Sequence, residues 1–411
     1  MKKCLVILFF PLISNTVFAQ NDQLEYYLTR AISNSPLLND YQGQIQSGFY
    51  DSLLIRAAYK PQVTGSSINS YSPVYKGWGY DAAVTNGGNF NALLVVNKQV
   101  LNTKVVTAQF QNLQLQNLAL NNNYKITEQE IKRAVTSQYI IAFGDLQILK
   151  INKEINRLLT GAEVILKKLT QQNVYKQVDY LSFLVTLQQQ ELLIKQQEIQ
   201  YKYDYAGLNY LVGVTDTVTI ELQKPDIRSA RLPDISQSVF FKRFELDSLK
   251  LHNNKTMIAI GYKPRINLYA DAGFLSSLAL NPYKNFGTSF GFSAVIPIYD
   301  GMQKKLQYSK IDILEKTRER SKSFYSNQYQ QQIAQLTQHL KATEEQITNI
   351  NTQLKYAQRL IEVNGKLLEA GEAKITDYIL ALNNYIMIKT LVTQNNISRL
   401  QLINQINYWN R

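Results

Sequence analysis

Two short stretches hold the residues best placed to do chemistry: "NVYKQVDYLSFLVTL" at 173–187 and "GEAKITDYILALNNY" at 371–385. Each sets a lysine three residues ahead of an aspartate, Lys176 before Asp179 and Lys374 before Asp377, and 198 positions separate the matching members. An aspartate at the start of a helical run is suited to capping that helix. An exposed carboxylate also draws cations and repels anions, and the lysines are able to pair with these acids or with another protein. Other reactive side chains are sparse. His252 and His339 are the only histidines and stand in no metal-ligand spacing. There is no phosphate-cradling glycine loop, no Gly-x-Ser-x-Gly and no triad. The paired acids of "TEEQ" at 343–346 fit a solvated helix face. These residues point away from an enzyme and imply no cofactor and no metal.

The chain opens with "MKKCLVILFFPLISNTVFAQ". Lys2 and Lys3 precede an apolar run from Leu5 to Phe10, and Val17-Phe18-Ala19 forms a small-x-small site, so residues 1–19 read as a secretory signal peptide cleaved before Gln20. The single cysteine, Cys4, leaves with it and precedes the apolar run, a poor place for a lipidated cysteine. The mature chain then has no disulfide and no thiol nucleophile. Loss of the two lysines lowers the formal charge from +13 by two, to +11. For an exported chain this charge fits a solvated surface near anionic lipid better than nucleic acid. No apolar run reaches the roughly 20 residues of a spanning helix. The 27 tyrosines suit a membrane–water boundary.

These motifs need elements to hold them, and the elements come twice. Proline is absent from 74–224 and from 298–411, which permits very long helices. The first copy, 20–213, reads as a helix at 22–58, strands at 62–75 and 88–99, a long helix at 102–172, a tip turn at 171–178 and a helix at 178–212. A proline-bearing linker follows at 214–237. The second copy, 238–411, repeats the plan: helix 238–260, strands 264–275 and 287–298, long helix 302–370, tip turn 369–376, helix 376–410. The stretch 102–172 would span about 105 Å as one helix. Each copy's shorter helices are expected to stack end to end beside its long one. Along the second long helix, Ile333, Leu336, Leu340, Thr343, Ile347, Ile350, Leu354, Ala357 and Ile361 alternate steps of three and four, a heptad seam. In the strands, Thr288, Phe290, Phe292, Ala294 and Ile296 share one face opposite Ser289, Gly291 and Ser293. Phe90, Ala92, Leu94 and Val96 likewise oppose Asn89, Asn91, Leu93 and Val95. Strands of this length and alternation fit a tilted barrel wall with lipid outside and water inside.

The plan resembles the outer membrane efflux protein family, the TolC-like trimeric exit ducts. "VIPIYDGMQKK" is similar to the family's element where the last strand enters the long helix, and "LLEAGEAKITDYILA" to its Gly-x5-Asp element at the periplasmic tip. "YKPQV" and "YKPRI", with Pro61 and Pro264, are similar to the start of each first strand. Copy one departs by placing Asn173 at the tip glycine's position and Gln99 at the strand-end proline's. The resemblance implies a mainly α fold with a small β part. Its long coiled-coil-like α-hairpins form an α-barrel tunnel, and each chain gives four strands to a trimeric twelve-stranded transmembrane β-barrel. It implies a passive outer membrane channel of a tripartite efflux or type I secretion system, working with a periplasmic adaptor and an inner membrane pump. Asp377 then lies at the tunnel entrance, where three copies form an acid ring, with Asp179 its counterpart. Gly371 and Asn173 become tip-turn or adaptor-contact residues, and Pro297, Gly301, Pro61 and Pro264 structural residues of the strand–helix junctions. The competing reading is a periplasmic coiled-coil scaffold or adhesion protein without a pore.

Overall fold

The computed structural model describes residues 23–79, 87–100, 103–216, 218–230, 238–276 and 282–409. The leader at 1–19 and the last linker residues, 231–237, lie outside these. The elements in order are α1 (Gln23–Asn34), α2 (Pro36–Ala58), β1 (Gln62–Ser66), β2 (Asn69–Ser72), β3 (Gly87–Val100), α3 (Thr103–Gln171), α4 (Gln177–Val212), α5 (Val239–Gly261), β4 (Arg265–Ser276), a 3-10 turn (Pro282–Lys284), β5 (Phe286–Val295), α6 (Gln303–Glu369) and α7 (Ile375–Tyr408). Among the described residues no helix is long and apolar enough to cross a membrane.

The chain divides into two compact units. The helical unit takes α1, α4, α7 and the later parts of α3 and α6. One of its cores joins Ile151, Ile155, Leu159 and Leu166 of α3 with Phe183 of α4, Ile361 and Leu368 of α6, and Tyr378 and Leu382 of α7. All nine positions of the heptad seam on α6 are buried or half-buried, between exposed flanks. The hydrophobic effect thus selects one stripe of each helix and leaves the Gln-, Asn- and Lys-rich faces to water. A second core gathers Tyr27, Tyr139, Tyr201 and Tyr205 with Leu24, Leu146 and Leu208.

One expectation for the first helix changes. The run 22–58 is two helices, because Ser35 leaves the helix ahead of Pro36. A proline disfavours the helical conformation of its predecessor but suits the first turn of a new helix. The first part of the run, α1, packs along α4. Tyr27 meets the Tyr205 hydroxyl at 3.1 Å and Asn34 Nδ2 donates to Val212 O at 2.9 Å, both across 178 positions, so α1 lies parallel beside the last turns of α4.

The described part of the linker, 214–216 and 218–230, has no helix or strand and is strapped to the helical unit. Side chains satisfy its backbone: Tyr139 donates to Gln223 O at 2.8 Å, Gln23 Oε1 accepts from Gln223 N at 2.9 Å, and Asn407 accepts from Ala230 N at 2.9 Å.

The second unit combines α2, α5 and the early parts of α3 and α6 with one antiparallel sheet, ordered β1-β3-β4-β5, with β2 also on β3. Five strands are counted, yet β1 and β2 are one strand of constant register. Ser66 faces Leu93 and Asn69 faces Phe90, three residues on in one and three back in the other. At the gap Asn91 replaces the ladder bonds: its carbonyl accepts from Ser67 Oγ and its side-chain oxygen from Ile68 N, each at 2.8 Å. The last strand stops at Val295, two residues before Pro297, whose nitrogen has no hydrogen to donate. In copy one Gln99 allows β3 to continue, paired with Asn267, to Val100.

Register sorts the side chains onto two faces. Val63, Val96, Ala270 and Phe290 form one rung, and Gly65, Leu94, Ala272 and Thr288 another on the same side. The opposite side carries Gln62, Asn97, Tyr269 and Gly291, then Thr64, Val95, Asp271 and Ser289. The apolar side is bare in the single chain: Phe290 is 89% exposed, Phe292 71% and Leu94 61%.

Candidate functional site

The two helix tips are built alike. α3 ends with Asn173 at φ 60° and α6 with Gly371 at φ 74°, 198 positions apart. Behind each, a backbone N–H reaches back five residues: Val174 N to Leu169 O at 3.0 Å and Glu372 N to Leu367 O at 2.9 Å. This left-handed closure satisfies carbonyls that the helix end leaves free. Glycine adopts it without strain and asparagine is among the few side chains that tolerate it.

The tips also touch each other. A Cβ on Gly371 would lie 3.3 Å from Val174 Cγ1. The Tyr175 hydroxyl donates to Ala373 O. Burial, then the nearby Asp179 carboxylate, raises the Tyr175 phenol above its ordinary value. Tyr175 was missed by sequence reasoning, since a tyrosine one residue past a turn carries no motif.

The returning helices begin at Lys176 and Lys374, both exposed and extended in backbone. Asp179 is half-buried and its carboxylate accepts the Lys176 N–H at 3.3 Å, closing the first turn of α4. Asp377 sits at the equivalent place in α7 but is exposed, and among the described residues no hydrogen bond or ion pair engages its carboxylate. Neither lysine's ammonium forms an ion pair with its aspartate. Four charged side chains are therefore gathered at one end of the helical unit, and Asp377 is the acid left available.

In the sheet-bearing unit, the junctions behave as chain-reversal devices. Pro61 and Pro264 each follow a helix end and precede a strand. Gln62 Nε2 donates to Ala57 O at 3.0 Å and Arg265 Nη2 to Gly261 O at 3.2 Å, so the first strand residue caps the helix behind it. After Pro297 the chain turns through Gly301 at φ 65° and Met302 at φ 68°. Asp300 then starts α6 by accepting Lys304 N at 2.8 Å. The Tyr262 hydroxyl, and after it the Lys304 N–H, holds the Asp300 carboxyl below the usual carboxylate range. Asp300 lies inside the "VIPIYDG" motif without an assigned role from sequence. Its signal is an aspartate just ahead of a long proline-free run, a preferred N-terminal capping residue.

Long helices with a small antiparallel sheet are the fold this chain shares with solved outer membrane channels. The chain superposes on the outer membrane protein VceC from Vibrio cholerae with a TM-score of 0.76, at 12% identity over 95% of this chain and 97% of that one. It matches CusC, described in connection with transmembrane channel formation, at a TM-score of 0.78 and 14% identity over 94% and 92%. The open state of the Neisseria gonorrhoeae MtrE outer membrane channel gives 0.73 at 10% identity over 94% and 88%. No family sequence model matches the chain, and no curated protein matches it in sequence.

Proposed function

We propose that this chain is the outer membrane channel of a tripartite efflux or type I secretion system in a Gram-negative cell. The mature chain starts after residue 19, carries no lipid and is not an enzyme. It sits in outer membrane lipid as a homotrimer, and its helices extend into the periplasm to meet an adaptor and an inner membrane pump. The pump supplies the energy; the channel is a passive conduit. Asp377 faces incoming solute at the tip, backed by Asp179, Lys374 and Lys176, while Gly371 and Asn173 lie where an adaptor approaches.

The observation that carries this reading is the sheet. It has a bare, mainly apolar face, a mainly polar opposite face and two open edges, β1–β2 and β5. In water such a face drives association. In lipid it is what a barrel wall needs, but open edges cannot stand there and four strands cannot enclose a wide lumen. Three copies joined edge to edge meet both demands. A soluble scaffold gives no reason for Phe290 and Phe292 to be bare. The test is extraction and mass: the protein is expected in the outer membrane fraction, soluble only with detergent, with a protein mass three times that of one chain. A detergent-free monomer would contradict the proposal.

A further inference from the structure

The polar face of the sheet carries a charge that the channel reading leaves unused. The strands hold three charged side chains, Lys98, Arg265 and Asp271. Lys98 pairs with Leu268 and stands on the apolar side. Arg265 shares the polar side but sits at the helix end of β4, where its guanidinium is bonded back to Gly261 O. Asp271 stands in mid-strand, six residues further along and about 20 Å away by strand rise. Its rung offers no cation, only Thr64, Val95 and Ser289. Ser289 Oγ donates to Asp271 Oδ2 at 2.6 Å, which fixes the carboxylate on the polar face without neutralising it. Among the described residues no ion pair reaches it. On the next rung of that face Gly273 and Gly287 carry no side chain, and the rung is completed by Leu93 and Ser66, neither of them a cation.

We infer that Asp271 is the charge-selecting residue of the β part. Repeated in each copy of a closed barrel, it sets a ring of uncompensated carboxylates in the water-filled interior that favours cationic solutes and holds back anionic ones. The inference rests on the channel reading. A fixed charge between low-dielectric walls acts strongly on ions passing it, because the walls focus its field. The ring is separate from the acids at the helix tips, which belong to the other unit.

The experiment is reversal potential in planar bilayers under a KCl gradient, comparing the parent channel with Asp271→Asn. The parent is expected to prefer potassium over chloride, and the substitution to lower that permeability ratio by about twofold or more. A conducting Asp271→Asn channel with an unchanged ratio would overturn the inference and leave the channel reading standing. A companion measurement works even if the helix tips are closed. In proteoliposomes an impermeant thiol reagent should modify Asp271→Cys and spare Ala270→Cys; the reverse pattern would put Asp271 toward lipid and overturn the inference. A parent protein that needs no detergent and never conducts would overturn the channel reading, and this inference with it.

Discussion

Asp179 and Asp377 occupy equivalent positions, yet only Asp179 spends its carboxylate on its own helix, accepting the Lys176 N–H. Asp179→Ala should therefore lower thermal stability in detergent by about 1 kcal/mol, the usual worth of a lost cap, with little effect on ion preference. Asp377→Asn should do the opposite, leaving the melt unchanged and weakening cation preference in the bilayer. Equal behaviour of the two substitutions would contradict the division of labour. Gly371→Ala combines a left-handed backbone with a Cβ 3.3 Å from Val174, so it should cost about 1 kcal/mol or more in the same melt. Asn173→Gly should be neutral or stabilising, since it removes strain from an equivalent turn. The sequence motif located these turns, and the 198-residue repeat aligned Asn173 with Gly371. It did not tell the two aspartates apart, because capping depends on fractions of an ångström in the first turn.

Between α3 and α4 the packing is antiparallel and polar at heptad intervals. Gln190 bonds Asn152, Gln197 bonds Asp145, and Gln138 bonds Asp204, in each case reaching both the backbone and the side-chain oxygen. Asp145 and Asp204 meet along this seam, and Asp145 Oδ2 is buried with no hydrogen-bond partner. Two ionised carboxylates cannot bond each other, whereas one shared proton satisfies the orphaned oxygen. Burial first, then Asp204, pushes the Asp145 carboxyl up to about 7. The folded state therefore holds a proton that the unfolded chain releases near 3.8. The associated stability is full below that value and is lost as pH rises to about 7. Asp145→Asn, neutral at every pH, should raise the melting temperature increasingly from pH 4 to pH 7 and level off above. A gain that is the same at all pH values would contradict the shared proton. This seam was hidden in the sequence: glutamines and aspartates on a long polar helix read as solvated until the partner helix and its register are known. The α6 seam was legible because its apolar residues keep strict heptad spacing on one helix. The gap between β1 and β2 was not, because it rests on Asn91 of another strand.

For the molecule as a whole, the exposed apolar face of the sheet is the feature that demands explanation. The alternation in "TSFGFSAVI" marked that face from sequence, and the observed register extends it across the strands from β5 to β1. How the edges close could not be read from one chain, since closure needs partners that one sequence repeats but does not display. If Phe290 and Phe292 face lipid, Phe290→Arg should deplete the protein from the outer membrane fraction, because an arginine on the lipid face of a barrel costs up to about 2–4 kcal/mol. Ser293→Arg, on the polar face opposite Asn267, should be tolerated. Equal loss from both would contradict the sidedness.

The most direct test of the channel account is single-channel recording from the detergent-purified mature chain in a planar bilayer. Discrete, long-lived conductance steps from a stable oligomer are the expected result. A protein that stays soluble without detergent and gives no steps would contradict the account.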